Sequence, residues 1–163
     1  MKLVPLTQGK FAKVDNEDWI RVSQYNWHFN AKYAKRKVLR EETGGLVKRQ
    51  GMHRFIMGID DPSVLVDHIN NDTLDNRKQN LRLCGHTQNC FNRKPRSKIG
   101  LKGVNLDGSR YRARIQGTSL GNFRTAKEAA MAYNKAALKL YGRFAWLNYI
   151  AEDHYEKPKK KKT

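Results

Sequence analysis

Asp67 and His68 stand side by side at the end of a short apolar run, Val64-Leu65-Val66, and Asn89 follows after a polar loop and a second short run. Aspartate and asparagine offer hard oxygen ligands, which favour Mg²⁺ over Zn²⁺. A neutral imidazole, with an unperturbed pKa of about 6.5, accepts a proton at neutral pH. Together they match what phosphodiester hydrolysis needs. A cation neutralises the phosphorane and the leaving oxygen, and a base takes a proton from the attacking water. Taken alone, an Asp-His pair is also what an ordinary surface turn carries, because function must be argued from a whole site. Adjacent strand residues point to opposite faces. The pair therefore converges only if the chain turns, and the loop after His68 is expected to supply that turn.

The elements that position these residues are legible in outline. Val64 to His68 reads as a strand, Asn70 to Asn80 as a polar loop, and Leu81-Arg82-Leu83-Cys84 as a second strand broken by Gly85. Thr87 is placed to cap a helix carrying Asn89 and Asn92. His53-Arg54-Phe55-Ile56-Met57 upstream reads as a short apolar turn. Further back, Asp15-Asn16-Glu17-Asp18 offers caps and first-turn acids for a short helix with Trp19 and Val22. Lys32 to Arg40 and Leu46 to Gln50 read as the strands of a hairpin around Glu41-Glu42-Thr43-Gly44-Gly45. Its outward Lys35, Lys37 and Arg49 are open to two readings, a DNA contact and a solvated face.

The string Val66-Asp67-His68-Ile69-Asn70-Asn71-Asp72-Thr73-Leu74-Asp75-Asn76-Arg77-Lys78-Gln79-Asn80-Leu81-Arg82-Leu83, with His53-Arg54 before it and Gln88-Asn89 and Asn92 after it, resembles the HNH endonuclease family, in the branch of phage and intron homing enzymes. The resemblance covers about residues 52–93. It implies the ββα-metal motif, in agreement with the strand-loop-strand-helix order. It also implies roles: Asp67 as first metal ligand, His68 as the general base, Asn80 as the asparagine that pins the loop, and Asn89 as the helical metal ligand. Many relatives carry His at the last position, and the Asn here argues further against zinc. His53 is assigned to support of the site, and Arg54 and Arg93 to phosphate contact. The implied cofactor is Mg²⁺, with Mn²⁺ as a substitute.

The rest of the chain must deliver a polyanion to such a site. A formal net charge of +18 over 163 residues attracts one. Nucleic acid, an anionic membrane surface and acidic proteins all satisfy that field. No apolar run is long enough to span a bilayer, and the start is too short in apolar residues for a signal peptide. The expectation is a soluble protein of the cytoplasm, in a phage-infected or bacterial cell by the resemblance. Cys84 and Cys90 read as free thiols in a reducing compartment.

After a basic linker, Lys94 to Gly100, a third region begins. Arg110-Tyr111-Arg112-Ala113-Arg114-Ile115-Gln116 alternates strictly, with a basic face and an apolar face. Lys102 to Leu106 and Thr118 to Phe123 read as its flanking strands. Thr125-Ala126-Lys127-Glu128 is a capping box. It opens a helix whose apolar stripe is Ala129, Ala130, Tyr133, Ala136, Ala137 and Leu140, and Gly142 stops it. The segments Gly103-Val104, Tyr111 to Ile115, Leu120-Gly121-Asn122-Phe123, Thr125 to Asn134 and Ala145-Trp146-Leu147-Asn148 resemble the plant ethylene-response-factor DNA-binding domain over about residues 99–148. That resemblance implies major-groove reading by the sheet, with Lys102, Asn105, Arg110, Arg112, Arg114 and Gln116 as DNA-binding residues. Two departures, Asn105-Leu106-Asp107 in a first strand that is arginine-rich in the family and Tyr111 in place of its Trp, prevent carrying over a target sequence.

The expected fold class is α+β: an N-terminal β-rich DNA-contacting unit (1–51), a nuclease motif (52–93), a basic linker (94–100), a three-stranded antiparallel sheet packed on one helix (101–149), and a basic tail (150–163). The expected function is sequence-directed, metal-dependent cleavage of double-stranded DNA, by nicking or double-strand cutting, as a monomer or homodimer. The alternatives are a non-catalytic DNA-binding regulator with a retained nuclease fold and an RNA- or ribosome-binding protein driven by charge.

Overall fold

The structure, a computed structural model, describes residues 1–38 and 49–150. The expected hairpin loop at Glu41–Gly45 and the Lys-rich tail lie outside the described residues. The fold is α+β, built from small antiparallel sheets, and the chain divides into two compact units, Met1–Asn89 and Cys90–Thr163.

The first unit starts with a hairpin of β1 (Lys2–Pro5) and β2 (Phe11–Val14), followed by α1 (Asn16–Ser23). The N-terminal segment holds an unread hairpin because its only inward side chains are Val4, Leu6, Ala12 and Val14, too few for a periodic signal. Next come β3 (His28–Asn30), β4 (Tyr33–Lys37) and β5 (Arg49–Gly51) as a three-stranded sheet in the order β3-β4-β5. Met52–Met57, expected as a turn, is a helix, α2, closed by Gly58 in the left-handed conformation. Strands β6 (Leu65–His68) and β7 (Leu81–Cys84) form the central hairpin. Helix α3 (His86–Phe91) follows. It begins one residue before Thr87, and its entry is held by Gln88, whose Oε1 accepts the Gly85 N–H at 2.9 Å. Asn92 falls just past its end and is buried.

One core serves all of this. Val4, Leu6, Ala12, Val14, Val22, Trp27 and Ala34 pack with Met52, Ile56 and Leu81. The N-terminal segment and the central hairpin therefore bury each other's apolar faces, as segments this short must.

In the second unit, β8 (Val104–Asp107), β9 (Arg110–Ile115) and β10 (Thr118–Phe123) make an antiparallel sheet in the order β10-β9-β8. It packs on α4 (Ala126–Tyr141) through Tyr111, Ala113, Ile115, Ala129, Ala130, Tyr133 and Ala137. The Thr125 hydroxyl accepts the Glu128 N–H at 3.2 Å, and the Glu128 carboxylate accepts the Thr125 N–H at 3.3 Å, so both halves of the capping box are present. Leu140 is not on the buried stripe; it is 54% exposed. A stripe that reaches Tyr133 and Ala137 continues four residues on, to Tyr141, whose ring stacks on Phe91 at 3.8 Å. The segment after α4 is fastened by Asn148. Its backbone N–H donates to Asn134 Oδ1 and its carbonyl accepts from Asn134 Nδ2, while its side chain bonds both the N–H and the C=O of Lys102.

Candidate active site

In β6–β7 the register sets Asp67 opposite Arg82 and His68 opposite Leu81. Both Asp67 and His68 remain inside the strand, so the expected turn does not bring them to one face. Asp67 shares its face with Arg82. Its Oδ2 accepts from Arg82 Nε at 3.0 Å and from Nη2 at 2.7 Å, and both residues are 9% exposed. A carboxylate buried this far from water requires such a partner.

His68, the next residue along the strand, alternates to the other face yet stays within electrostatic reach of Asp67. Its Nε2 lies 3.3 Å from Asn76 Oδ1. Its ring centroid lies 5.2 Å from that of His53 on α2 and 6.0 Å from that of Tyr33 on β4. Burial pushes both histidines below their ordinary value. His53 falls to about 3, with burial the largest cause and the nearby His68, Arg54 and Lys35 charges adding to it. His68 is lowered by burial, against the opposing pull of Asn76, Asp67, Asp72 and Asp75. Both imidazoles are therefore neutral at neutral pH, the form in which a histidine accepts a proton. His53 Nδ1 is buried and has no hydrogen-bond partner among the described residues. Gly51 makes room for that ring, since a Cβ there would stand 2.6 Å from His53 Cε1.

The loop from Ile69 to Asn80 is tied by its own polar groups. Asn80 Oδ1 accepts the Asn70 N–H at 3.0 Å and Asn80 Nδ2 donates to the Asp75 carbonyl at 2.8 Å. Asp75, 1% exposed, takes two bonds from Arg77 and one from Asn70 Nδ2. Those bonds, Arg77 first, hold its carboxyl below the usual carboxylate range. The loop is also clamped from β2. The Lys13 N–H donates to Leu74 C=O, and the Asn76 N–H donates to Lys13 C=O, both at 2.8 Å. The Asp15 carboxylate accepts the Lys78 N–H at 2.8 Å, and the Thr73 hydroxyl donates to the Lys32 carbonyl.

The remaining residues singled out in the sequence fall into several settings. Arg54 donates from Nη1 to Val64 C=O and from Nη2 to Asp61 C=O, both at 2.6 Å, which holds the approach to β6. Asn89 is half-buried on α3, and its side chain makes no hydrogen bond among the described residues. Arg93 is exposed. The Lys102 ammonium donates to the carbonyls of Phe91 and Arg93 at 2.6 and 2.8 Å. Burial lowers its pKa. Asn105 is exposed on β8, opposite Arg112. On β9, Arg110, Arg112 and Arg114 face away from α4, in a burial pattern that alternates along the strand. Arg112 pairs with Asp107 and reaches Asn122. Gln116 is not on the strand; it sits in the following turn at φ 47°.

Asn76, Arg82 and Lys13 carry much of the site's geometry without having been singled out. The first two lie inside the string that carries the HNH resemblance. Lys13 acts on Leu74 and Asn76 through its backbone, which leaves no mark in side-chain chemistry, while its ammonium pairs with Asp72 at 3.2 Å. Among the described residues, no group of three or more His, Cys, Asp or Glu is placed to hold a metal ion. The ligands expected from the sequence, the Asp67 carboxylate and the Asn89 carboxamide, are hard oxygen donors carried on β6 and α3. Cys84 and Cys90 are free thiols, and no helix among the described residues is long and apolar enough to cross a membrane.

No protein-family profile matches the chain, and no solved structure matches it significantly. Among curated proteins, the chain is 33% identical over 153 residues to an uncharacterized HNH endonuclease of Acanthamoeba polyphaga mimivirus, an alignment that covers 88% of this chain and 77% of that relative. With that likeness running through both β6 and β7, the chain belongs to the HNH endonuclease family.

Proposed function

We propose that this protein is a Mg²⁺-dependent endonuclease that cuts double-stranded DNA at sites chosen by its flanking regions, in the manner of homing-type HNH enzymes. The observation that carries the reading is His68: a buried imidazole at the last position of β6, next to Asp67, against Asn76 and braced by a cross-linked loop. In this reaction His68 accepts a proton from water as the water oxygen bonds to phosphorus. The P–O3′ bond breaks, leaving a 5′-phosphate and a 3′-oxygen that is protonated from solvent. Asp67 and Asn89 would hold the cation, and their hard oxygen atoms fit Mg²⁺, which keeps several waters and takes phosphate oxygens as further ligands. When bound, the cation stabilises charge on the phosphorane and the leaving oxygen. The two Arg82 bonds to Oδ2 fix how the Asp67 carboxylate is turned.

Duplex binding falls to the basic surfaces. The β8–β10 sheet, similar in its residues to the ethylene-response-factor domain, presents Arg110, Arg112, Arg114 and Asn105 on the face away from α4. A two- or three-stranded sheet with such a face fits the major groove, where arginine pairs with guanine. Each phosphate neutralised by Lys or Arg should steepen the fall of log affinity with log salt by about 0.9.

The test is nicking of supercoiled plasmid by purified protein with Mg²⁺ or Mn²⁺, with His68→Ala as control. Cleavage that needs the metal and vanishes in His68→Ala supports the assignment. Cleavage that persists in His68→Ala removes His68 as the base. The Asp67–Arg82 pair favours a second reading, a DNA-binding regulator with an idle nuclease fold, because the carboxylate already has a cationic partner. Binding without any nicking would select it.

A further inference from the structure

Asp107 is the only acidic residue in the three strands of the β8–β10 sheet. A carboxylate on a surface that carries Arg110, Arg112 and Arg114 repels phosphate, so it weakens a purely electrostatic hold on nucleic acid. Its partner shows what it does instead. In the register Asp107 stands opposite Arg110, while Arg112 stands between Asn105 on β8 and Asn122 on β10. The Asp107 carboxylate nevertheless accepts from Nη2 of Arg112, its diagonal neighbour. From the other side Asn122 Oδ1 accepts the Arg112 Nε–H at 3.4 Å. Both flanking strands thus hold the Arg112 guanidinium. Arg114, by contrast, donates to the Gly117 carbonyl in the turn after its own strand, at 3.3 Å. The Asp107 and Arg112 side chains are both nearly half exposed, and a pair so wet adds little stability. What it sets is where the guanidinium lies.

We infer that Asp107 is a positioning residue that sets the base preference of the sheet: with Asn122 it braces the Arg112 guanidinium for bidentate pairing with a guanine, and its charge keeps that guanidinium off the phosphate backbone. This rests on the reading of the β8–β10 sheet as the duplex-binding surface. A guanidinium carries five N–H donors in one plane. Asn122 takes the Nε–H and Asp107 takes one Nη2–H, which leaves three. Guanine needs two, for O6 and N7 in the major groove. A braced side chain also loses less rotamer freedom on binding than a free one, so the pair with the correct base gains most from the brace. A phosphate approaching Arg112 meets the Asp107 carboxylate as well, whereas the neutral edge of a base does not. The carboxylate therefore trades general affinity for discrimination, the repulsive element that specific recognition requires.

The experiment selects bound duplexes from a randomised pool with the full chain, in chelator so that nothing is cut, and compares wild type with Arg112→Ala and Asp107→Ala. Wild type should enrich a site with a guanine whose preference depends on Arg112. Arg112→Ala should lose roughly 5- to 150-fold of discrimination at that base pair. Asp107→Ala should lose about fivefold or more at the same base pair. Its affinity for random duplex should rise, and its fall of log affinity with log salt should steepen by about 0.9 as Arg112 becomes free to neutralise a phosphate. A purely structural role in the turn after β8 would move neither the base preference nor the salt slope in this way. Should Asp107→Ala fail to fold, Asp107→Ser keeps a turn-forming side chain without the charge and is expected to give the same result. A loss of guanine preference in Arg112→Ala that the folded Asp107 variant does not share overturns the inference alone. If Arg112→Ala changes neither affinity nor preference, the duplex-reading role of the sheet has failed and the inference falls with it.

Discussion

Replacing His53 with Phe should make the protein resist acid. In the fold His53 is neutral down to about pH 3, because its ring is buried between Tyr33 and His68 and sits near Arg54 and Lys35. In the unfolded chain the same side chain takes a proton near its ordinary 6.5. The unfolded state therefore binds more protons over this interval, and the native state loses stability as pH falls from about 6.5 toward 3. A tenfold change in proton activity across that interval is worth about 1.36 kcal/mol. Between pH 7.5 and pH 4.5, where the unfolded side chain is protonated and the folded one is not, the cost is about 2.5 kcal/mol. Phenylalanine fills the same space and never protonates. Urea unfolding of both proteins at the two pH values gives the comparison. Asp75, also acid-sensitive, is present in both chains and cancels in the difference. Wild type should lose about 2.5 kcal/mol more than His53→Phe. Equal losses would refute the claim that a buried neutral His53 limits acid stability.

Three further outcomes are expected. Arg82→Met leaves the Asp67 carboxylate buried without its main partner and should cost about 3–5 kcal/mol in urea unfolding, while Asp67→Leu with Arg82→Met should restore most of it. Gly103→Ala should destabilise the second unit by on the order of 3 kcal/mol by thermal melting. The glycine has φ +71°, and a Cβ would meet the Tyr133 ring at 2.1 Å and the Arg114 carbonyl oxygen at 2.6 Å. Thr125→Ala removes the hydroxyl half of the α4 capping box and should cost about 1 kcal/mol, with Thr125→Ser close to wild type, again read by melting.

Much of the second unit was readable because its signals are local. The β9 alternation needs only a two-residue period, and the α4 start needs only Thr125 and Glu128 three apart. The spacing of Leu140 also suits an ideal stripe, and the choice between it and Tyr141 depends on Phe91, fifty residues earlier in the chain. Gln116 was placed on β9 by continuing the alternation, whereas the turn to β10 begins there. In the first unit the strand-loop-strand-helix order was legible, yet the β1–β2 hairpin that braces it was not.

Residue type and spacing alone determined which side chains have the chemistry for a nuclease: Asp67, His68, Asn80 and Asn89, set in a polar loop between two short strands. Three things came only with the tertiary structure. Strand pairing put Asp67 and His68 on opposite faces of β6 and gave Asp67 to Arg82. Burial beside His53 and Tyr33 lowered the pKa of His68. The backbone of Lys13 then fixed Asn76, whose Oδ1 lies 3.3 Å from His68 Nε2. Chemical identity is a property of each residue, and the sequence carries it. Protonation state and orientation depend on which distant segments exclude water and supply partners, and no local pattern encodes those.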